Sequence, residues 1–141
     1  MIPYAYAVPA VPHFAAAPTT VLVVEDEPFV CELATEALLD EGYRVLTAAD
    51  AWEAEAILSR ESVDLLFTDI DLARNTNGLV LARHARETCP HLAVVYTSGG
   101  RTCLAGGEAV PDSLFVPKPY RPSQLVALTN DLLRRTSLHP V

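Results

Sequence analysis

The chain has 141 residues, of which 10 are basic and 18 are acidic, so its formal net charge at pH 7 is −8. Half of the residues are apolar and 20% are charged, which is typical of a folded domain and excludes a wholly disordered chain. The length fits one domain. Binding to duplex DNA needs clustered Lys and Arg side chains, so the acidic balance argues against a nucleic-acid partner.

Residues 1–18 are rich in Pro and Ala and lack the basic residues that begin a signal peptide. Four prolines interrupt this segment, which argues against a membrane-spanning helix and a membrane partner. We therefore predict a tail over residues 1–18, one folded domain over residues 19–136 and a short tail over residues 137–141. The three cysteines are widely spaced, a pattern that favours reduced thiols and a cytoplasmic location.

Short apolar segments alternate with helical patterns from Thr20 onward. The apolar segments, rich in β-branched residues, predict strands over residues 21–24, 43–49, 63–68, 92–96 and 114–116. The helical patterns predict helices over residues 28–41, 50–60, 79–87 and 123–135. Such alternation is typical of parallel βαβ units. We therefore predict an α/β fold, a doubly wound five-stranded parallel sheet with helices on both faces.

The helix starts carry recognisable signals. Pro28 suits the first turn of a helix, and Glu27 before it is interpreted as a cap. Asp50 and Glu53 have the spacing of a capping box. The segment between the fourth and fifth strands holds four glycines. Each one costs roughly 0.8–1 kcal/mol relative to Ala inside a helix, so a helix there is predicted to be short or irregular.

Polar side chains follow four of the five predicted strands. Ligands of an open parallel sheet bind outside the carboxyl ends of its strands, so these side chains are expected to share one site. They are Glu25, Asp26, Asp69, Asp71, Thr97 and Lys118. Carboxylates and main-chain carbonyls are oxygen ligands that suit Mg²⁺. Lys118 is the only lysine of the chain, and its ammonium is a flexible point charge that can reach a phosphoryl oxygen.

Four motifs, VLVVEDEP, LLFTDIDL, VVYTSGG and FVPKPY, together resemble the receiver domain of response regulators in two-component signalling. The resemblance covers roughly residues 19–136. It implies that Asp69 is the phosphoacceptor and that Glu25 and Asp26 are the acidic pair that holds Mg²⁺ at this aspartate. The main-chain carbonyl of Asp71 would be a further metal ligand.

The same resemblance assigns the remaining roles. Thr97 is implied to be the switch hydroxyl, Phe115 the aromatic rotamer switch and Lys118 the lysine that pairs with the phosphoryl group. The Lys118–Pro119 peptide bond is implied to be cis, which proline makes energetically accessible.

The implied function is that of a single-domain response regulator. A sensor histidine kinase or a histidine phosphotransfer protein would supply the phosphoryl group, and the signal would pass to a downstream protein target by protein–protein interaction. In this interpretation the protein is not an enzyme that acts on another substrate, because it catalyses only its own phosphorylation and dephosphorylation.

The sequence departs from the family pattern at three places. Ala73 stands where the family usually has a proline, and the loop that follows Asp69 is about one residue longer before Gly78. Pro117 removes a backbone donor directly before Lys118. The third departure is the glycine-rich segment after Thr97. None of these changes removes a group with an implied catalytic role.

Two other functions remain open at this point. A degenerate receiver would serve as a binding module without phosphorylation. A haloacid-dehalogenase-like phosphatase would use the pair Asp69 and Asp71 as nucleophile and acid/base. Three further residues are given ordinary structural interpretations: His84 is expected on the surface, and Phe29 and Trp52 are expected to be packing residues.

Overall fold

The computed structural model describes residues 17–137, so most of the predicted tails, residues 1–16 and 138–141, lie outside the described residues. The five strands are β1 (Thr20–Val24), β2 (Arg44–Ala48), β3 (Leu65–Asp69), β4 (Ala93–Ser98) and β5 (Leu114–Pro117). The helices are α1 (Pro28–Asp40), α2 (Ala51–Arg60), α3 (Gly78–Thr88) and α4 (Pro122–Ser137). All strand pairs are parallel, in the order β2-β1-β3-β4-β5, which confirms the predicted doubly wound sheet.

The three central strands are buried on both faces because helices cover both sides of the sheet. Side chains alternate between two cores. Val21 and Val23 belong to the core under α1 and α4, whereas Leu22 and Val24 belong to the core under α2 and α3. This double burial accounts for the continuous apolar runs in the sequence.

The two predicted helix starts differ in outcome. Asp50 accepts a hydrogen bond from Glu53 N at 2.9 Å, so its predicted capping role is confirmed. Glu53 Oε1 accepts its hydrogen bond from Ala49 N at 2.7 Å, one residue before the N-cap position at which a standard capping box would close. Glu27 stands at the N-cap position of α1, but its side chain makes no capping hydrogen bond. The predicted capping role of Glu27 is therefore wrong.

Residues 99–113 form turns without a helix, so the described part of the chain contains four α-helices. The predicted irregularity of this segment is confirmed, and no α-helix forms in it. The segment is nevertheless attached to the sheet, since the buried hydroxyl of Tyr96 accepts a hydrogen bond from Val110 N at 3.1 Å. Leu104 and Val110 pack into the core on the α2 and α3 side.

Helix α4 returns from the carboxyl ends of the strands to their amino ends. Pro122, at its start, borders a groove shared with Lys118. Thr136, near its end, borders a cavity of about 370 Å³ shared with Leu92 and Ala93 at the start of β4. Within residues 17–137, no helix combines the length and apolar character needed to cross a membrane.

Candidate functional site

Lys118 joins two carboxylates at the carboxyl ends of the strands. Its Nζ donates a hydrogen bond to Asp69 Oδ2 at 2.8 Å and lies 2.9 Å from Glu25 Oε1. The three side chains are 17%, 8% and 1% exposed, respectively. Burial by itself would lower the pKa of Lys118, but the two carboxylates outweigh it, so the pKa of this ammonium lies above its ordinary value.

Three carboxylates lie together at this point. Glu25, Asp26 and Asp69 each offer one oxygen atom, and these atoms all lie within 4.8 Å of one another. Burial raises the pKa of both Glu25 and Asp69 above the ordinary carboxyl range, although Lys118 opposes the rise. When ionised, the two buried acids Glu25 and Asp69 carry two negative charges, and Lys118 carries one positive charge. The cluster is therefore net negative even before Asp26 is counted. A hard divalent cation fits this set of oxygen donors.

The Asp69 side chain is fixed by its position at the end of β3. Asp69 pairs in register with Thr97 of β4, and Ile70 N donates a hydrogen bond to the Thr97 carbonyl at 2.9 Å. Thr68 Oγ1 donates to the Asp69 carbonyl at 2.8 Å, and Asp71 N contacts Asp69 Oδ1 at 3.3 Å. The carboxylate of Asp71 is exposed and is not part of the three-carboxylate cluster.

Gly78 is a sterically constrained position beside Asp69 that the sequence analysis did not single out. A Cβ atom at this residue would lie 2.1 Å from the carbonyl oxygen of Asp69 and 2.9 Å from Thr68 Oγ1. Gly78 N donates a hydrogen bond to the Ile70 carbonyl at 2.8 Å, so the start of α3 lies directly against the end of β3. Only a residue without a side chain allows this close approach.

Thr97 lies on β4 and Phe115 on the neighbouring strand β5. Thr97 is fully buried, and its Oγ1 has no hydrogen-bond partner among the described residues. A buried hydroxyl without a partner is uncommon and calls for an explanation. Phe115 is half-buried and packs against the core on the α2 and α3 side.

The long loop after Asp69 is attached to α2. Arg74 and Asn75 take left-handed backbone conformations, with φ of 59° and 56°, and accommodate the extra length in a tight turn. Arg74 Nε donates a hydrogen bond to Asp50 Oδ2 at 2.7 Å, and Thr76 Oγ1 accepts one from Ala51 N at 3.1 Å. No local sequence pattern predicts these contacts, because the partners are about 25 residues apart.

Several further predictions are resolved by the geometry. The Lys118–Pro119 peptide bond is cis, as the resemblance implied. His84 is exposed and contacts Glu55 through Nδ1 at 3.2 Å, which confirms its surface interpretation. Phe29 and Trp52 are each 69% exposed, so their interpretation as packing residues is wrong.

Comparison with known protein families gives a match to the response regulator receiver domain over residues 21–130. The chain is 34% identical over 127 residues to the "Probable transcriptional regulatory protein TcrX" of Mycobacterium tuberculosis, a match that covers 88% of this chain and 53% of the relative. It is 35% identical over 122 residues to the transcriptional regulatory protein AruR of Pseudomonas aeruginosa, covering 82% of this chain and 49% of the relative. The chain thus spans about half the length of these relatives.

A solved structure shows the same architecture. A response regulator receiver protein from Sinorhizobium medicae superposes with a TM-score of 0.77 at 30% sequence identity, over 84% of this chain and 97% of that one. Because relatives are named as transcriptional regulators, the expectation that this protein has no nucleic-acid partner is not supported by the comparisons.

Proposed function

Since the chain belongs to the response regulator receiver family, we propose that Asp69 accepts a phosphoryl group from a phosphohistidine in a Mg²⁺-dependent reaction. The observation that carries this proposal is the ion pair of Lys118 with Asp69, placed beside the acidic cluster of Glu25, Asp26 and Asp69. The donor would be a sensor histidine kinase or a histidine phosphotransfer protein.

The oxygen donors of the site suit the proposed metal. Glu25, Asp26 and Asp69 would hold it with their carboxylates, and the main-chain carbonyl of Asp71 would add a fourth oxygen ligand. When bound, Mg²⁺ supplies positive charge that offsets the repulsion between the acids and the incoming phosphoryl group.

The transfer depends mainly on positioning and charge. One oxygen of the Asp69 carboxylate attacks the phosphorus atom, the bond between phosphorus and the histidine nitrogen breaks, and the released nitrogen takes a proton. Lys118 Nζ already touches Asp69 Oδ2, so it is placed to pair with a phosphoryl oxygen as negative charge builds up. Water later hydrolyses the acyl phosphate to the free carboxylate and inorganic phosphate.

The unpartnered hydroxyl of Thr97 supports its proposed role as the switch. A hydroxyl without a hydrogen-bond partner gains one when phosphoryl oxygens appear at Asp69, which is the residue next to it in the sheet register. Movement of Thr97 toward the phosphoryl group would leave space for the half-buried ring of Phe115 to turn inward. The two conformations would form a switch biased by a local change of charge.

The family is a signalling family, and we propose that this receiver catalyses only its own phosphorylation and dephosphorylation. Its output would be a change in binding to a downstream protein target in a two-component or phosphorelay pathway. Action without a fused output domain stays a prediction, as does a cytoplasmic location, which the free cysteines Cys31, Cys89 and Cys103 fit.

The decisive experiment is labelling with acetyl phosphate, or with a phosphorylated histidine kinase, in the presence and absence of Mg²⁺. Wild type should gain a hydroxylamine-sensitive label, and Asp69→Asn should gain none, because an amide is a poor nucleophile. Asp40→Asn, an exposed position on α1, is the matched control and should be labelled as wild type is.

Each alternative predicts a different result. A degenerate receiver would show no label and no binding of beryllofluoride with Mg²⁺, even though the protein is folded. A phosphatase would hydrolyse a generic aryl phosphate with turnover. Full labelling of Asp69→Asn would refute the assignment of the phosphoacceptor.

A further inference from the structure

Arg101 lies on the same edge of the sheet as the phosphoacceptor. The chain leaves β4 at Ser98, whose Oγ accepts a hydrogen bond from Gly100 N at 3.1 Å and whose carbonyl accepts one from Lys118 N at 2.9 Å. A Cβ atom placed on Gly99 would lie 3.9 Å from Lys118 Cδ. The Cα atom of Arg101 is at most about 7.6 Å from that of Gly99, because consecutive Cα atoms are 3.80 Å apart.

The guanidinium of Arg101 is held by an acid in its own loop. Arg101 Nη1 donates hydrogen bonds to both Glu108 Oε1 and Glu108 Oε2, each at 2.8 Å. Glu108 Oε1 also accepts a hydrogen bond from Ala105 N at 2.8 Å, and the Glu108 carbonyl accepts one from Arg83 Nη1 at 3.2 Å. Glu108 therefore closes the loop that stands where a helix was expected and attaches it to α3.

The contact between Arg101 and Glu108 is poorly shielded from water. The two side chains are 38% and 29% exposed, respectively, and ion pairs in contact with solvent contribute little stability. Arg101 can therefore leave Glu108 for an anion of higher charge at a small cost in free energy.

Such an anion would appear nearby after phosphorylation. Asp71 is an electrostatic neighbour of Arg101: its negative charge, together with the hydrogen bonds that Arg101 donates to Glu108, raises the pKa of the guanidinium. Asp71 N in turn contacts Asp69 Oδ1 at 3.3 Å. Among the described residues, Lys118 is the cation that contacts Asp69, and the same ammonium also contacts Glu25. A phosphoryl group on Asp69 would carry a charge of about −2, which adds to the charges of Glu25 and Asp26. Mg²⁺ and Lys118 together would offset about three of these four negative charges, so the site would still attract another cation.

We propose that Arg101, which is paired with Glu108 in the unphosphorylated protein, is a second cation that binds the phosphoryl group. When Asp69 carries a phosphoryl group, the guanidinium leaves Glu108 and donates to the phosphoryl oxygens, for which its planar fork is well suited. The loop of residues 101–108 then loses its closing contact, so the bound anion changes the shape of this surface. The inference rests on the proposed function, because it takes Asp69 as the phosphoacceptor.

The test measures the affinity of the full-length protein for beryllofluoride with Mg²⁺, a mimic of the phosphoryl group, in variants of the two residues. Arg101→Gln should weaken the apparent affinity by about five-fold or more, the lower end of typical coupling between sites. Glu108→Gln should strengthen it, because the guanidinium no longer has a competing partner. The double variant should match Arg101→Gln, since Glu108 would affect the bound anion only by holding the guanidinium of Arg101.

The opposite signs of the two single variants separate this role from a structural one. If the pair only stabilised the loop, Arg101→Gln and Glu108→Gln would change the affinity equally and in the same direction. That result would overturn the proposal, and so would an Arg101→Gln protein with wild-type affinity. Arg101→Lys, which keeps the charge, should recover part of the affinity.

Arg83→Gln provides a matched control. Arg83 also contacts Glu108, but through the main-chain carbonyl, and this substitution leaves both side chains of the proposed exchange in place. Its affinity should equal that of wild type. Absence of beryllofluoride binding by wild type would contradict the proposed function itself, whereas wild-type binding with no response to Arg101→Gln would contradict only the role of Arg101.

Discussion

The Asp69 carbonyl oxygen lies where a side chain at residue 78 would begin, because a Cβ atom on Gly78 would come within 2.1 Å of it. Real Cβ atoms do not approach an oxygen atom so closely, so any other residue must push α3 away from β3. The distance between this helix and Asp69 is therefore set by a glycine that carries no functional group.

Gly78→Ala should destabilise the fold and slow phosphorylation together. Overpacking in a well-packed region typically costs about 1–3 kcal/mol, and here the clashing atom belongs to the backbone. Urea unfolding and the rate of labelling by acetyl phosphate measure the two effects. Gly100→Ala is the control, since a Cβ atom there meets nothing within 4 Å. The same unfolding free energy and labelling rate in both variants would contradict this role of Gly78.

Mg²⁺ should stabilise the protein and reduce the pH dependence of its stability above the ordinary carboxyl range. The pKa values of Glu25 and Asp69 are raised in the folded state, so the folded state binds more protons than the unfolded chain. Without Mg²⁺, the free energy of unfolding should therefore fall as the pH rises from the ordinary carboxyl range through these raised values. At a concentration 100 times its Kd, Mg²⁺ should add about 2.7 kcal/mol.

Asp69→Asn tests the origin of this pH dependence. Without Mg²⁺ at pH 7, removal of one buried negative charge should make the variant more stable than wild type. The exposed variant Asp40→Asn should lie within about 0.5 kcal/mol of wild type. Denaturant titrations between pH 5 and pH 8 give both quantities. If wild type without Mg²⁺ gains stability as the pH rises over this range, the expected sign is wrong.

Lys118→Arg should fail to restore the function lost in Lys118→Ala. The ammonium of Lys118 contacts Asp69 Oδ2 and Glu25 Oε1 from a side chain that is only 17% exposed. A planar guanidinium is larger and cannot occupy the same point between two carboxylates. The rate of labelling and the affinity for beryllofluoride are the measurements. Wild-type values in the arginine variant would show that only the positive charge matters at this position.

Tyr96→Phe should loosen the segment of residues 99–113 without unfolding the sheet. The buried hydroxyl of Tyr96 accepts the hydrogen bond of Val110 N, so its removal leaves a buried N–H without that partner. Hydrogen exchange should show a protected Val110 amide in wild type and faster exchange at this amide in the variant. Protection across residues 99–107 equal to that of α4 would contradict the loop seen here, because those residues lack helical hydrogen bonds.

The sheet and the placement of the site could be predicted because both depend on local patterns. Continuous apolar segments mark strands buried on two faces, and the polar residues that follow them must meet at one edge of a parallel sheet. This reasoning brought Glu25, Asp69 and Lys118 together, and the structure confirms that they are in contact.

The loops around the site could not be predicted in the same way. The contact of Arg74 with Asp50 joins residues 24 positions apart. It depends on a left-handed backbone conformation at Arg74, which an arginine seldom adopts and which its residue type therefore does not predict. The ion pair of Glu108 with Arg101 depends on the path of residues 99–113, which form turns and no helix. Gly78 was passed over because a glycine at the start of a helix does not reveal which atom lies opposite it.

The return of α4 along the sheet determines where other molecules can be attached to this receiver. Residue 17 precedes β1, and Thr136 lies beside the start of β4, so both ends of the described chain lie at the amino ends of the strands. Asp69 stands at the opposite ends. A fluorescent label, a surface anchor or a fused protein joined by a short linker at either place would leave the path of an approaching phosphodonor open.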